Sequence, residues 1–311
     1  LMAMVLVTGG AGFIGSHLVQ ALIERGDQVR VLDNFSTGRR ENLAATTAEI
    51  VEGDIRDSRI VEKAMVGVEL IFHEAAFVSV PLSMEDPLNC FDINQHGTEI
   101  VLEAARKAKV KRVVLASSAA VYGDSEAVPL REDGMLYPMS PYAVSKRVTE
   151  IYAEMYTRSF GLDVVALRYF NVYGPRQRPD SMYAAAVPIF ARKLVDGAEV
   201  TIYGDGEQSR DLVYVGDVVR ANLAAVNSKT APGKVFNVSS GKEITVNELV
   251  NTMKTYFPGA MPTKYMPARQ GDIYRSLGDP NLSQQQLQFS PATSLTEGLG
   301  KVVAWMQSQN S

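Results

Sequence analysis

A glycine-rich turn close to the N-terminus constrains the fold of this chain more than any other feature. The turn, Gly9–Gly15, directly follows the apolar run Val5–Val7 and opens a segment with helical periodicity. Gly9 permits the tight turn, Gly12 lets the backbone approach a pyrophosphate, and Gly15 allows the helix to pack closely on the strand. The helix N-terminus directs free N–H groups and the positive end of its dipole at the phosphates. The pattern predicts a dinucleotide site on a strand–turn–helix unit.

An acidic residue at the end of the second apolar run indicates which dinucleotide is bound. Asp33 follows Val29–Leu32, roughly 20 residues beyond the turn, where a carboxylate hydrogen-bonds the adenosine ribose. The same carboxylate repels a 2′-phosphate, so the sequence favours NAD over NADP, although Arg39 and Arg40 argue the other way. A later strand end places Asp54 where it can meet the adenine, or where it only caps a turn.

Short apolar runs alternate with helical segments over the first half of the chain. This alternation predicts an α/β fold, a doubly wound parallel sheet of the Rossmann type with helices on both faces. After Arg168 the sequence becomes rich in loops, glycine and proline. We expect residues 1–170 to form the NAD-binding domain, with a returning segment near 212–257. Residues 171–211 and 258–311 are expected to form a smaller, mostly C-terminal substrate lobe.

A tyrosine and a lysine four residues apart form the candidate catalytic pair. Tyr142 and Lys146 follow Ser140 and Pro141, which are typical of a helix N-cap and first turn, so both side chains share one helix face. A nearby ammonium and the positive nicotinamide ring favour the phenolate, and we expect them to lower the pKa of Tyr142. Ser118, just after a strand, can hydrogen-bond the reacting oxygen. A Tyr-x-x-x-Lys pair alone is common on exposed helices, but behind a dinucleotide turn it predicts hydride transfer.

Composition and charge exclude several other classes of protein. A net charge of −4 gives no electrostatic reason to expect a nucleic-acid partner. One cysteine and three histidines without clustered carboxylates argue against a metal site. The chain has no apolar stretch long enough to span a bilayer, and its first residues are predicted to form a strand and not a signal peptide. We therefore expect a cytoplasmic protein with no membrane or metal partner.

Motifs spread over the whole chain match one family pattern. They are Thr8–Gly15, Asp33–Gly38, His73–Ala76, Ser117–Gly123, Ser140–Lys146, Leu167–Pro175, Gly204–Gly206, Ser209–Asp211 and Arg269–Asp272. On these residues the chain resembles the extended short-chain dehydrogenase/reductase family. Within that family it is most similar to the NAD-dependent nucleotide-sugar 4-epimerases that act on UDP-galactose and UDP-N-acetylglucosamine.

The resemblance implies epimerisation through a transient 4-keto sugar. Tyr142 would remove the proton of the sugar 4-hydroxyl while hydride passes from C4 to NAD, and the keto sugar would take the hydride back on its other face. Lys146 would also hold the nicotinamide ribose, which Asn94, Tyr169 and Val172 would border. The implied cofactor-binding residues are Gly9, Gly12, Phe13, Ile14, Gly15, Asp33, Asn34, Ser36, Thr37, Gly38, Asp54, Ile55, Ala75, Asn94, Ser117, Tyr142, Lys146, Tyr169 and Val172.

The resemblance also implies a UDP-sugar site in the second lobe. Its arginines would bind the diphosphate, since a guanidinium binds phosphate oxygens in pairs. The implied substrate-binding residues are Ser79, Ser118, Tyr142, Asn171, Ala185, Ala186, Val187, Tyr203, Arg210, Arg269, Asp272 and Ser276. From the family we also expect a homodimer that pairs the helices containing Thr98 and Tyr142.

Two positions distinguish among reactions and substrates in this family. Related 4,6-dehydratases have Asp-Glu where this chain has Ala119-Ala120, and related decarboxylases have glutamate at the second position, so epimerisation is favoured here. Ser276 stands where some relatives have a tyrosine beside the sugar 2-position, and a serine leaves room for an N-acetyl group. We therefore expect UDP-GlcNAc/UDP-GalNAc to be accepted along with UDP-glucose/UDP-galactose.

Three alternatives remain open at this point. The loop Gly174–Asp180 resembles that of UDP-glucuronate 4-epimerases, in which an extra arginine can meet a carboxylate. A non-catalytic, NAD-sensing protein can share the same fold, because fold does not fix function. A net oxidoreductase would release NADH, whereas an epimerase would keep its cofactor through turnover.

Overall fold

Seven parallel strands form the central sheet of the protein. The computed structural model describes residues 3–180, 185–268 and 274–309. In chain order, the strands of the described residues, including those of the smaller sheets, are β1 Met4–Thr8, β2 Gln28–Asp33, β3 Glu49–Glu52, β4 Leu70–His73, β5 Arg112–Ser118, β6 Val164–Tyr169, β7 Asn171–Tyr173, β8 Thr201–Tyr203, β9 Ser209–Arg210, β10 Leu212–Tyr214, β11 Val235–Val238, β12 Ile244–Thr245, β13 Lys264–Met266 and β14 Arg275–Ser276. The order across the central sheet is β11-β6-β5-β4-β1-β2-β3, which confirms the predicted Rossmann-type architecture.

Helices cover both faces of this sheet. They are α1 Phe13–Glu24, α2 Ser58–Ala64, α3 Val80–Glu85, α4 Pro87–Phe91, α5 Gly97–Lys107, α6 Pro141–Phe160, α7 Ala186–Val195, α8 Val215–Asn227, α9 Val246–Lys254, α10 Asn281–Leu287 and α11 Leu295–Ser308. A 3₁₀ turn spans Ala119–Tyr122, and a π-helical turn over Asp92–His96 joins α4 to α5. In the described parts of the chain, every helix is too short or too polar to serve as a membrane span.

Two hydrophobic clusters hold these helices on the sheet. Successive residues of β1 point to opposite faces, as a period of two requires. Val5 and Val7 pack with α1 and α8, whereas Leu6 packs with α2, α5 and α6. Because both faces are covered, the interior strands are almost continuously apolar, as in Val113–Ala116 of β5.

A third cluster forms the core of the second lobe, from α7, α9 and α11 with β8. It places two segments differently from the sequence-based boundaries. Helix α9, predicted to belong to the first domain, buries Leu249 and Met253 in the second lobe's core. Leu287 of α10 and Phe289, predicted to belong to the substrate lobe, pack in the first lobe's core. The apolar face of each segment decides its lobe, and sequence position does not.

Helix α6 positions the candidate catalytic pair, and its ends follow the predicted signals. The Ser140 hydroxyl accepts from Ala143 N at 3.1 Å, and Pro141 is the first helical residue. Gly161 ends the helix in the left-handed conformation at φ 69°. The segment is therefore an uninterrupted helix of 20 residues, packed against β5 and β6.

Candidate active site

A cleft of about 600 Å³ lies at the carboxyl ends of the sheet strands, where ligands bind in open α/β sheets. It brings together most of the predicted cofactor residues, the three predicted catalytic residues and one further predicted substrate residue, Ala185. Those on its wall are Gly9, Gly12, Phe13, Ile14, Gly15, Asp33, Asn34, Ser36, Thr37, Asp54, Ile55, Ala75, Ser117, Ser118, Tyr142, Lys146, Tyr169, Val172 and Ala185. Residues distant in sequence thus share one site.

The glycine turn has the geometry of a phosphate cradle. Gly9 has φ +67°, and a Cβ there would lie 2.6 Å from Ala75 N, while a Cβ on Gly15 would lie 2.2 Å from Gly9 O. Side chains are therefore excluded from the turn. No side chain caps the N-terminus of α1 at Gly12, and its first turn has no acidic residue, so free N–H groups face the cleft. These residues fit a dinucleotide pyrophosphate.

The adenosine end of the cleft contains two carboxylates with different surroundings. Asp33 accepts from Ala11 N at 2.9 Å and from Phe35 N at 2.8 Å, and it is 7% exposed. Asp54 pairs with Arg56 at 2.8 Å, and the guanidinium holds the pKa of this carboxyl well below its usual range. Asp33 is thus fixed by backbone donors, whereas a side-chain cation engages Asp54. Gly38 lies behind this wall, against Ala11 and Asp33.

Ser118, Tyr142 and Lys146 meet at the other end of the cleft. The ammonium of Lys146 donates to Ala116 O at 2.8 Å and lies 5.9 Å from the centroid of the Tyr142 ring. The side chains of Tyr142 and Ser118 lie on the same part of the cleft wall. Ser118 Oγ accepts from Ala120 N at 3.2 Å, so the backbone fixes the Ser118 hydroxyl.

Burial acts on the pKa values of both members of this pair. It raises the pKa of Tyr142, and the neighbouring Ser118 opposes that shift. Burial also lowers the pKa of Lys146 to about 8. The lowering of the Tyr142 pKa by Lys146 together with the nicotinamide ring stays a prediction.

A buried ion pair behind the catalytic residues was missed by sequence reasoning. Glu150 and Arg168 are each 1% exposed and form two hydrogen bonds, of 2.7 and 2.9 Å. The Ser117 hydroxyl donates to the same carboxylate at 2.6 Å, and Arg168 also donates to Tyr122 OH at 2.8 Å. This pair ties α6 to β5 and β6. A signal was present, since Glu150 lies four residues beyond Lys146 on the same helix face.

Glu74 is a second functional candidate that was not predicted. It lies on the cleft wall and accepts from Tyr169 OH at 2.7 Å, and Asn222 donates to the same hydroxyl at 2.8 Å. Burial raises the pKa of Glu74 to about 7, and the nearby Lys146 opposes the shift. The signal was an acidic residue at the carboxyl end of a buried strand, next to His73.

Asn94 is held beside the cleft by hydrogen bonds within the protein. Its Nδ2 donates to Phe77 O at 3.0 Å and to Ser145 Oγ at 2.9 Å, and its Oδ1 accepts from Phe77 N at 2.7 Å. The neighbouring Ile93 lies on the cleft wall, and a contact of Asn94 with the cofactor stays a prediction. The π-helical turn that contains Asn94 directs the side chain inward.

The predicted substrate residues lie in several places. Arg210 and Ser276 are cross-strand neighbours in the β9–β14 pair, although they are far apart in sequence. Asn171 is exposed at the start of β7, and Tyr203 is 37% exposed on β8. The side chain of Val187 is buried in the second lobe's core, and a contact of this residue with substrate stays a prediction. Ser79 caps α3 and Ala186 begins α7, whereas Arg269 and Asp272 lie outside the described residues.

Metal ligation has no candidate in the parts of the chain that the structure describes. No group of three or more His, Cys, Asp or Glu side chains converges there. Of the histidines, His73 is hydrogen-bonded by its two ring nitrogens to Thr8 and Thr98, and burial lowers its pKa to about 3. This ring therefore has a structural position between β1 and α5.

Comparison with known proteins identifies the family. The model of the NAD dependent epimerase/dehydratase family matches residues 5–239. A putative UDP-glucose 4-epimerase from Methanocaldococcus jannaschii is 42% identical, with 99% of each chain covered. The UDP-glucose 4-epimerase of Thermotoga maritima, solved with UDP-glucose, is 40% identical with a TM-score of 0.94, covering 99% of this chain and 100% of that one.

Other similar proteins widen the range of chemistry. The UDP-N-acetylglucosamine 4-epimerase of Methanobrevibacter ruminantium, solved with UDP-N-acetylmuramic acid, is also 40% identical with a TM-score of 0.94 and 99% coverage of both chains. Relatives at 32% and 34% identity include a nucleotide-sugar decarboxylase and a dTDP-glucose 4,6-dehydratase. The cofactor of the family is NAD, and the cleft fits it. The chain therefore belongs to the NAD-dependent epimerase/dehydratase family, a branch of the extended short-chain dehydrogenases/reductases.

Proposed function

We propose that this protein is an NAD-dependent epimerase that inverts C4 of a UDP-hexose. The observation that carries the proposal is the convergence of Ser118, Tyr142 and Lys146 on one wall of the cleft, with two alanines directly after Ser118. Ala119 and Ala120 lie directly after Ser118, where elimination or decarboxylation in relatives uses acidic side chains. With only methyl groups there, inversion is the reaction that these residues support.

The residues divide the work of this reaction. Ser118 orients the sugar hydroxyl, and the charge of Lys146 stabilises the phenolate form of Tyr142, which takes the proton of that hydroxyl and later returns it. Bound NAD supplies the hydride acceptor and returns the hydride. Lys146 is buried beneath Tyr142, so its charge acts on the phenol with little screening by water.

The substrate is proposed to be a UDP-sugar with or without an N-acetyl group. Arg210 and Ser276 support this, because the pairing of β9 with β14 places them side by side. An arginine suits a diphosphate, and the small side chain of Ser276 leaves room for an N-acetyl group. Similar proteins are named for UDP-glucose and for UDP-N-acetylglucosamine. Turnover is expected for both the UDP-glucose/UDP-galactose and UDP-GlcNAc/UDP-GalNAc pairs.

The test is a coupled assay with each sugar pair on the wild type, Ser276→Tyr and Ser276→Ala. Ser276→Tyr should lose turnover of the N-acetylated pair and keep the other, and Ser276→Ala should keep both. If the wild type turns over only the non-acetylated sugars, the proposal that Ser276 leaves room for an N-acetyl group is wrong. Steady NADH accumulation would contradict epimerisation, and absence of turnover with every sugar would favour an NAD-sensing role.

UDP-glucuronate is the second candidate substrate. The guanidinium of Arg178 lies on the cleft wall and pairs with Asp180 at 2.8 Å, so a cation is within the site. A similar structure is named as a UDP-glucuronic acid 4-epimerase. Turnover of UDP-glucuronate that falls in Arg178→Gln, with UDP-glucose turnover unchanged, would favour this candidate.

A homodimer is proposed through the outer faces of α5 and α6. Apolar side chains remain exposed along α6, with Val144 37%, Ile151 49% and Phe160 51% exposed. An apolar helix face of this kind is typical of an association surface. Light scattering should report a dimer for the wild type and a monomer for Ile151→Glu, and a monomeric wild type would refute the proposal.

A further inference from the structure

The loop Gly174–Asp180, called here the clasp loop, is attached to the helix that follows the glycine turn. The ring of His17 hydrogen-bonds Pro175 O at 3.0 Å, and Arg176 Nη2 donates to Gln20 Oε1 at 2.9 Å. Both partners belong to α1. The loop therefore runs from β7 onto α1, and Arg176, Gln177 and Arg178 form part of the cleft wall.

The far end of the clasp loop reaches the adenosine side of the cleft. Asp180 lies 3.4 Å from Arg39 Nη2, and Arg39 follows β2. Asp180 also pairs with Arg178. Arg39 and Arg178 thus share the one carboxylate of Asp180, so each has an ion-pair partner within the protein.

Arg176 is in a different position from its neighbours. Its Nη1 is buried and has no hydrogen-bond partner among the described residues, which also offer it no carboxylate within ion-pair distance. Burial lowers the pKa of Arg176. Its backbone adopts φ 68°, which is uncommon for a residue with a Cβ. A half-buried guanidinium without a counter-ion, on a strained backbone, is typical of a site completed by a ligand.

Gln177 adds a second unsatisfied group of opposite type. Its Nε2 donates to Val172 O at 3.0 Å, whereas its Oε1 is buried without a described partner. Adjacent residues on one wall thus present a free donor with a positive charge and a free acceptor. A ligand that satisfies both has an anionic group and also an O–H or N–H donor. A dinucleotide has these in its pyrophosphate and its ribose hydroxyls.

We propose that Arg176 binds the pyrophosphate of NAD, so that the clasp loop ties the cofactor to α1. The position of α1 favours this assignment, because Phe13 and Ile14 at its N-terminus share the cleft wall with Arg176. The helix N-terminus and the guanidinium both attract anions. The inference rests on the cofactor and not on the choice of sugar. It adds a cationic contact to the glycine turn and explains a cofactor that is kept through turnover.

The test is the exchange of bound NAD for isotopically labelled NAD in the holoenzyme. Loss of a charge-assisted hydrogen bond should make exchange about 10- to 100-fold faster in Arg176→Gln. Arg158→Gln is the control, an exposed arginine of α6 away from the cleft that pairs with Glu154, and it should exchange within about 2-fold of the wild type, because a surface ion pair contributes little. The acceleration in Arg176→Gln should shrink as salt is raised, since screening weakens the contact already in the wild type.

Two further measurements separate the alternatives. Calorimetry of UDP binding to each holoenzyme shows whether Arg176 contacts the diphosphate of the substrate. Thermal melting in excess NAD shows whether the residue only stabilises the fold. Faster NAD exchange with unchanged UDP affinity supports the proposal. Unchanged NAD exchange overturns the proposal. A lower melting temperature would then assign Arg176 to packing on Gln20, and a lower UDP affinity would assign it to the substrate. These outcomes hold whichever sugar the enzyme uses.

Discussion

Removing the carboxylate of Glu150 should destabilise the protein by about 3–5 kcal/mol, the usual result of leaving a buried charge without its partner. Arg168 is 1% exposed, so water cannot replace the two hydrogen bonds that Glu150 accepts from its guanidinium. The variant Glu150→Gln keeps the shape of the side chain and still accepts one hydrogen bond, so the loss reports chiefly on charge. A loss of this size is a large share of the roughly 5–15 kcal/mol by which domains are stable.

The same helix offers a matched control. Glu154 lies one turn further along α6 and pairs with Arg158 at 3.0 Å, with side chains 49% and 78% exposed. Because solvent screens this pair, Glu154→Gln should change the free energy of unfolding by no more than about 0.5 kcal/mol. Urea unfolding followed by circular dichroism gives both values. Equal losses in the two variants would refute the reasoning, since burial would then not determine the effect.

Three further outcomes follow from the cleft. The pKa of Lys146 lies near 8, so its charge is lost as pH rises, and kcat/KM should fall above about pH 8 in a profile from pH 6 to 10; a constant value up to pH 10 would contradict the role of the ammonium. Burial raises the pKa of Glu74 to about 7, so the folded protein binds this proton more tightly than the unfolded chain does. The stability that the protonated carboxyl contributes is therefore lost as pH rises from about 4.5 through 7. In urea unfolding at pH 8, the free energy of unfolding of Glu74→Gln should therefore exceed that of the wild type by up to about 3 kcal/mol, and at pH 4.5 the two should be equal. A variant less stable than the wild type at pH 8 would refute this. Ser118→Ala removes the hydroxyl that shares the cleft wall with Tyr142 and should lower kcat about 10- to 1000-fold with a melting temperature close to that of the wild type; unchanged kcat would exclude an orienting role.

The sequence predicts the sheet and the catalytic helix because both depend on local patterns. Alternating apolar runs and helices determine the layers, and Ser140-Pro141 sets where α6 begins. For the Glu150–Arg168 pair the spacing from Lys146 indicates the helix face of Glu150, but the partner on β6 depends on how α6 packs on the sheet. The internal partners of Asn94 depend likewise on a π-helical turn that has no sequence signal.

The second lobe is harder to predict, because its strands are short. β9 and β14 contain two residues each, too few for a periodic signal, yet their pairing brings Arg210 beside Ser276. Lobe boundaries fail for a related reason. Each of α9 and α10 has one apolar face, and the sequence does not say which core receives it.

The order in which the central sheet is completed has a consequence for synthesis of the chain. All six residues of β6 are buried, and its outer neighbour β11 follows it only after the chain has passed through much of the second lobe. Until Val235–Val238 leaves the ribosome, the nascent sheet ends in an apolar edge that can pair with other chains. Translation pauses between residues 170 and 235 would lengthen that exposure, whereas pauses after residue 240 would not.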